Sequence, residues 1–199
     1  MQKNIFLVIS LLFLSFENIS ISDRWESRAE GVNSKPKLVR MKVAEGISVA
    51  LPKDWHPMDD LDFNERYPSV RAPLAAYTNE DRLADFSLNI SATQWPDSDV
   101  EIARQFFRAS ILNTFDKVDL LDEGIREVKG KKLIYFEFES YVKGDSRKEG
   151  FKSPVWDYSY LTYLIEPGRS LVFSFHCPRR QRNEWQETAR AIMDSIKVK

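Results

Sequence analysis

The sequence holds one cysteine and two histidines in 199 residues. A single cysteine excludes an internal disulfide framework and every cysteine-based zinc site, because each needs at least a pair. Two histidines leave little room for a histidine-rich metal centre. Charge of either sign is not in excess: 29 Lys and Arg face 30 Asp and Glu, for a formal net charge of -1. That balance argues against a nucleic-acid binder, which carries a basic stripe to neutralise phosphates. It argues equally against an acidic solvating tail. No Walker loop, GxGxxG, GxSxG, HExxH or EF-hand pattern occurs. The compact signatures of catalysis and cofactor binding are therefore missing, although a site assembled from distant positions would leave no such trace. No cofactor is expected.

What is present is the material of a core. Hydrophobic residues make up 43% of the chain and aromatic residues 13%. The length corresponds to one domain or a little more, and a domain of this size hides roughly 70% of the surface that its unfolded chain exposes.

Residues 1–22 read as a secretory signal peptide. Lys3 supplies the positive start, and Ile5 to Phe16 is a 12-residue apolar core closed by Glu17 and Asn18. That run is short of the ~20 apolar residues a membrane-crossing helix needs, so a cleaved signal is favoured over an uncleaved anchor. Ser20 and Ser22 place small residues at the minus-three and minus-one positions before Asp23, as signal peptidase requires. Residues 23–36 are polar, without apolar period, and are expected to form a flexible leader to a single domain over 37–199. The reading implies an exported protein, periplasmic or secreted, with no stable membrane span after cleavage. Export makes Cys177 a question: a small buried hydrophobe, or one half of an intermolecular disulfide.

The mature chain opens with two short strands, Lys37 to Val43 and Gly46 to Leu51, around a tight turn. In the second, Ile47, Val49 and Leu51 alternate with Ser48 and Ala50, the mark of a half-buried strand. Four prolines at Pro52, Pro57, Pro68 and Pro73 then keep a long stretch irregular, apart from a helical turn around Met58 to Phe63. Leu74 to Thr78 and Asp85 to Ala92 form a hairpin. Ser98 to Glu101 spells a capping box, and Val100, Ala103, Phe107 and Ile111 recur at helical spacing towards Phe115. Leu120 to Val128 has weak strand character. Three strong strands follow, Lys131 to Val142, Val155 to Ile165 and Arg169 to Cys177, with a polar loop from Lys143 to Pro154. A second helix is expected from about Arg179 to Ile196, with Trp185, Ala189, Ile192 and Ile196 as its apolar stripe. Hairpin-joined strands with two amphipathic helices define an α+β fold with a mostly antiparallel sheet.

Three constellations bear on chemistry. Asp59, Asp60 and Asp62, near His56 and Glu65, resemble a hard-cation loop, but lack the glycine and distal glutamate of a calcium site; a solvated helix start is the favoured reading. His176 and Cys177 are neighbours on a strand and point to opposite faces, so they do not make a nucleophile pair, and His56 would have to reach across from the long loop. The third is a row of Tyr135, Glu137, Glu139 and Tyr141 on one strand beside Trp156, Tyr158 and Tyr160 on the next. Such residues are enriched in partner-binding surfaces. The competing reading is that a helix covers this face.

The segments GISVALPKDWHP (46–57), DFSLNISA (85–92) before a capped helix, and FSFHCP (173–178) leading through a helix to SIKVK (195–199) resemble the PsbP-like fold. That fold is shared by the PsbP proteins of photosystem II, the Ran-binding Mog protein and exported bacterial relatives such as DcrB. The resemblance covers about Lys37 to Lys199 and implies an α/β/α sandwich. Its motifs, Pro52 to Trp55 and Ser195 to Lys197, are packing motifs, and no metal or Ran contact carries over residue by residue. The resemblance implies a binding or assembly factor rather than an enzyme. The expectation is a non-enzymatic exported domain, of the bacterial envelope, whose partner is an unidentified envelope or secreted protein and not a nucleic acid. The candidate contacts are Trp55, Phe63 and Tyr67 in the long loop and Tyr135, Glu137, Tyr141, Trp156, Tyr158 and Tyr160 on the strand face. Trp55 is alternatively a core anchor. The second expectation is a small-ligand or metal-binding exported protein with a pocket between loop and sheet.

Overall fold

The computed structural model of the chain describes residues 36–66, 72–128, 130–144 and 153–199. The expected signal peptide, the leader as far as residue 35, Tyr67 and residues 145–152 of the polar loop lie outside the described residues.

Two antiparallel sheets organise the chain. In the first, β1 (Leu38–Ala44) and β2 (Ile47–Pro52) form a hairpin, with Met41 opposite Val49. Gly46 takes φ +72° in its turn, where a side chain would be strained. The alternation read in β2 is realised: Ile47, Val49 and Leu51 are buried, and Ser48 and Ala50 are half-buried. The other edge of β2 pairs with β10 (Lys197–Val198).

The second sheet has seven strands. They are β3 (His56–Pro57), β4 (Ala75–Thr78), β5 (Asp85–Ile90), β6 (Lys117–Val128), β7 (Lys131–Val142), β8 (Val155–Glu166) and β9 (Arg169–Pro178). Their spatial order is β3-β4-β5-β9-β8-β7-β6. A short helix, α1 (Asp60–Arg66), follows β3; α2 (Val100–Thr114) follows β5; and α3 (Arg182–Asp194) follows β9.

Period-two alternation assigns the two faces of this sheet to the two long helices. Ile134, Phe136 and Phe138 of β7 and Tyr163 and Ile165 of β8 pack under Val100, Ala103, Phe107 and Ile111 of α2. Residues of opposite parity, including Tyr158, Tyr160, Phe173 and Phe175, pack with Trp185, Ala189 and Ile192 of α3 and with β2. The result is an α/β/α layering in which α3 and the small sheet share one side.

Three local expectations are corrected. The capping box does not form. Asp97–Asp99 is a 3-10 turn led by Pro96, and Asp99 N–H donates to the Pro96 carbonyl at 3.0 Å. Ser98 Oγ is taken by Asp99 Oδ1 at 2.8 Å, and Glu101 accepts from Arg104 instead of reaching back. The segment from Leu120 is not a weak connection but part of a 12-residue strand beginning at Lys117. A register shift between Leu120 and Asp122 puts Leu120 and Leu121 out of alternation and hid it. The second helix starts at Arg182 rather than Arg179, after a 3-10 turn at Arg179–Gln181. No helix among the described residues is long and apolar enough to cross a membrane.

Candidate functional site

The register of β7 and β8 places Tyr141 opposite Trp156, Glu139 opposite Tyr158 and Glu137 opposite Tyr160. The aromatic and acidic rows therefore do share one face. The middle of that face is not a surface, because α3 lies on it. Tyr158 is fully buried and Tyr160 is 4% exposed. Burial pushes both hydroxyls up, that of Tyr160 to about 12. Glu137 is fully buried, with both carboxylate oxygens satisfied. It accepts from Tyr158 Oη at 3.0 Å, from Gln186 Nε2, and from Arg190 Nε at 2.9 Å and Nη2 at 3.2 Å. Removing Arg190 would strand the Glu137 charge in the interior. These three residues clamp α3 to the sheet, and their use as a contact surface is corrected accordingly.

Trp55 is corrected in the same way. It is 3% exposed, stacks on Phe175 at 6.0 Å between ring centroids, and meets Trp185 at 5.5 Å. Its position directly after β2 turns the indole into the joint between the small sheet, β9 and α3. Phe63 lies half-buried on α1. Tyr135, also half-buried, stacks on Tyr160 at 6.1 Å, and the Arg126 guanidinium carbon lies 5.8 Å from its ring centroid. Tyr67 lies outside the described residues.

The outer end of the aromatic rows stays open. Tyr141 and Trp156 are half-buried there, with ring centroids 4.7 Å apart. Pro178 ends β9 by withholding a backbone donor, and the 3-10 turn that follows delivers Arg179, Arg180 and Arg182 to one place. The Arg179 guanidinium carbon lies 4.8 Å from the Trp156 ring centroid, and Lys117 Nζ lies 5.5 Å from it. Beneath them Glu139 is 4% exposed. It accepts from Arg179 Nε at 2.6 Å and from Arg182 Nη1 at 2.8 Å. Burial pushes the Glu139 carboxyl up, but the hydrogen bonds from Arg182 and Arg179 outweigh it and hold the group below the ordinary glutamate value. Asn183, Pro154 and Pro178 complete the lining of a groove of about 650 Å³. Two guanidinium groups thus meet one carboxylate, and the exposed Arg180 lines the groove beside them. The sequence reading recognised Trp156 and Tyr141 but missed the arginines. The only linear signal for them is the cluster at 179, 180 and 182 beside a proline, which the periodicity of a helix absorbs.

A second constellation becomes visible only through strand register. Asp85 lies opposite His176, and His176 opposite Ser159, in one row across β5, β9 and β8. Ser159 Oγ and His176 Nδ1 are 2.8 Å apart. Burial raises the Asp157 carboxyl; the His176 charge opposes that shift and Asp85 reinforces it. The residue types match a nucleophile triad, but Ser159 is 1% exposed and its hydroxyl serves as a buried hydrogen-bond partner of His176. Cys177 projects to the opposite face and joins the core under α3 at 2% exposure.

The acidic loop is likewise structural. Asp59 Oδ1 accepts from Asp62 N–H at 2.8 Å, as an N-cap does, and buried Asp62 pairs with Arg82. Among the described residues, no group of three His, Cys, Asp or Glu could hold a metal ion.

The layering, strand order and helix placement define a PsbP-like α+β fold. The chain is similar to the cyanobacterial PsbP (CyanoP) of Synechocystis sp. PCC 6803, with TM-score 0.56 and 12% identity, over 84% of this chain and 95% of that one. It is similar to the Ran-binding protein Mog1p of Saccharomyces cerevisiae, with TM-score 0.50 and 13% identity, over 82% and 96%. It is similar also to LpqN, involved in cell envelope biogenesis of Mycobacterium tuberculosis, with TM-score 0.50 and 12% identity, over 92% and 98%. Comparison with protein-family models gives no match, and comparison with curated proteins gives none. At these identities the likeness is one of fold.

Proposed function

We propose that this chain is a non-catalytic, exported domain of the bacterial envelope that binds a protein partner through the groove at the start of α3. In this reading residues 1–22 direct export, residues 23–36 are a leader, and 37–199 form the binding domain. The observation that carries it is the groove itself. It joins the half-buried Trp156, itself packed on Tyr141, to three arginines, one of them held against the tryptophan ring. Trp, Tyr and Arg are the residue types that dominate binding energy at protein interfaces. Two fold neighbours lend support, one being Ran-binding and the other involved in cell envelope biogenesis. The burial of Ser159 supports the non-catalytic part of the reading.

The test is position-specific photo-crosslinking in producing cells. A photoreactive side chain at Asn183, on the groove, should give one dominant covalent adduct. The same side chain at Ile102, exposed on α2, should give none. Equal products from both positions, or none from Asn183, would remove the groove as a binding site.

A further inference from the structure

We infer that the groove takes an acidic peptide segment, a run carrying two or three Asp or Glu side chains on the partner protein. This rests on the protein-binding reading and names the chemistry of the partner. The argument is charge complementarity with the donors already aimed. Glu139 lies beneath the arginines, and each of its oxygens is occupied, Oε2 by Arg179 and Oε1 by Arg182. It fixes the two guanidinium groups without neutralising all three. Arg179 uses only Nε in that contact, so its two terminal nitrogens remain donors. Arg180 is exposed and makes no hydrogen bond or ion pair among the described residues. Asn183 lies in the first turn of α3, on the lining of the groove.

Order is built in before any ligand arrives. Arg179 is held by Glu139 on one side and the Trp156 ring on the other, and Trp156 is itself packed on Tyr141. Guanidinium forks held this way match carboxylates in bidentate geometry and lose little freedom on binding. The basic character is local. The chain as a whole carries a net charge of -1, and a polyanion such as a nucleic acid needs a long basic track. A trough of about 650 Å³ accommodates a few residues rather than a duplex.

The probe is fluorescein-labelled hexaglutamate, followed by anisotropy with the full chain at low salt and at roughly 0.3 M salt, where screening shortens to a few ångströms. Saturable binding at low salt, weakened at high salt, is expected. Arg180→Glu should weaken it about tenfold or more, because one attractive contact becomes repulsive. Arg180→Lys should lie between, since charge is kept and the fork is lost. Arg180 is the residue to change because Arg179 and Arg182 hold a buried carboxylate and their loss could unfold the site. A thermal melt unchanged in Arg180→Glu confirms that the fold is intact. Equal binding by the wild type and Arg180→Glu overturns the inference. So does capture by phosphatidylglycerol vesicles without hexaglutamate binding, which would assign the groove to a lipid surface. If Asn183 still crosslinks one protein while hexaglutamate does not bind, the acidic-segment inference falls and the protein-binding reading stands. If both fail, both fall.

Discussion

Replacing Trp55 separates its role in the core from a role in contact. The side chain is 3% exposed and wedged between Phe175 and Trp185. Its indole Nε1 is buried without a hydrogen-bond partner among the described residues. Two terms of opposite sign follow. An aromatic side chain buries about 150–250 Å², and at ~25 cal/mol per Å² its transfer out of water contributes about 4–6 kcal/mol. Trp55→Ala should therefore cost ~3–5 kcal/mol, the usual range for such truncations. That is a large share of a total of roughly 5–15 kcal/mol. Trp55→Phe is different. Trimming indole to phenyl leaves a void on the order of 40 Å³, worth about 1 kcal/mol at ~24 cal/mol per Å³, with a similar loss of transfer energy. Removing the orphaned N–H returns about 1–3 kcal/mol. The two nearly cancel, so Trp55→Phe should lie within about 1 kcal/mol of wild type. The assay is urea unfolding followed by far-UV circular dichroism, which is insensitive to the loss of one fluorophore. The slope should stay constant so that midpoints report stability. If Trp55→Phe costs as much as Trp55→Ala, the cancellation is wrong and the N–H is not a liability. If Trp55→Ala costs under about 1 kcal/mol, Trp55 is not a core joint at all.

Two further outcomes follow from the buried titratable groups. Glu139 is held below its ordinary value by Arg182 and Arg179 against the pull of burial, so the stability it contributes is full above that ordinary value and is lost as pH falls through the folded one. Glu139→Gln should cost about 1–3 kcal/mol at neutral pH and progressively less in acid. Asp157, raised by burial, works in the opposite window: Asp157→Asn should stabilise at neutral pH and do nothing in strong acid. Melting temperatures of the three proteins across pH check both signs, and parallel curves would refute them. Burial pushes the Cys177 thiol up to about 12. A thiol reagent at neutral pH should therefore label the native protein only through unfolding, and denaturant should accelerate labelling by roughly a thousandfold or more. Immediate labelling of the folded protein would contradict its 2% exposure.

The legible parts of this fold are those with a clean period. The alternation of β2 and the stripe at Val100, Ala103, Phe107 and Ile111 appear as the sequence implied. What was hidden had competing local physics. The bulge at Leu120 and Asp122 broke the period of β6. Ser98 satisfied its hydroxyl on the neighbouring Asp99 and not on a helix N–H. Ser195 looked like one end of a packing motif; its hydroxyl accepts from Ala50 N–H at 2.7 Å and donates to the Ile192 carbonyl at 2.6 Å. No local pattern announces such a tie. The site divided in the same way. Trp156 and Tyr141 carried compositional signal, whereas the arginine groove needed the turn after Pro178, and the Ser159–His176 contact needed the register of two strands.

The pairing of β10 with β2 has a kinetic consequence. Ala50 and Ser195 are joined although 145 positions separate them, and Lys199 N–H donates to the Gly46 carbonyl at 3.0 Å. Contacts of such span are slow to form, because the entropy of closing the loop must be met before they give any return. The small sheet can be fastened only after the last turn of α3 has been synthesised and docked, so the domain closes like a clasp whose two halves lie at opposite ends of the described chain. A copy cut short before Ser195 would lack both ties, and β2 would keep an open edge.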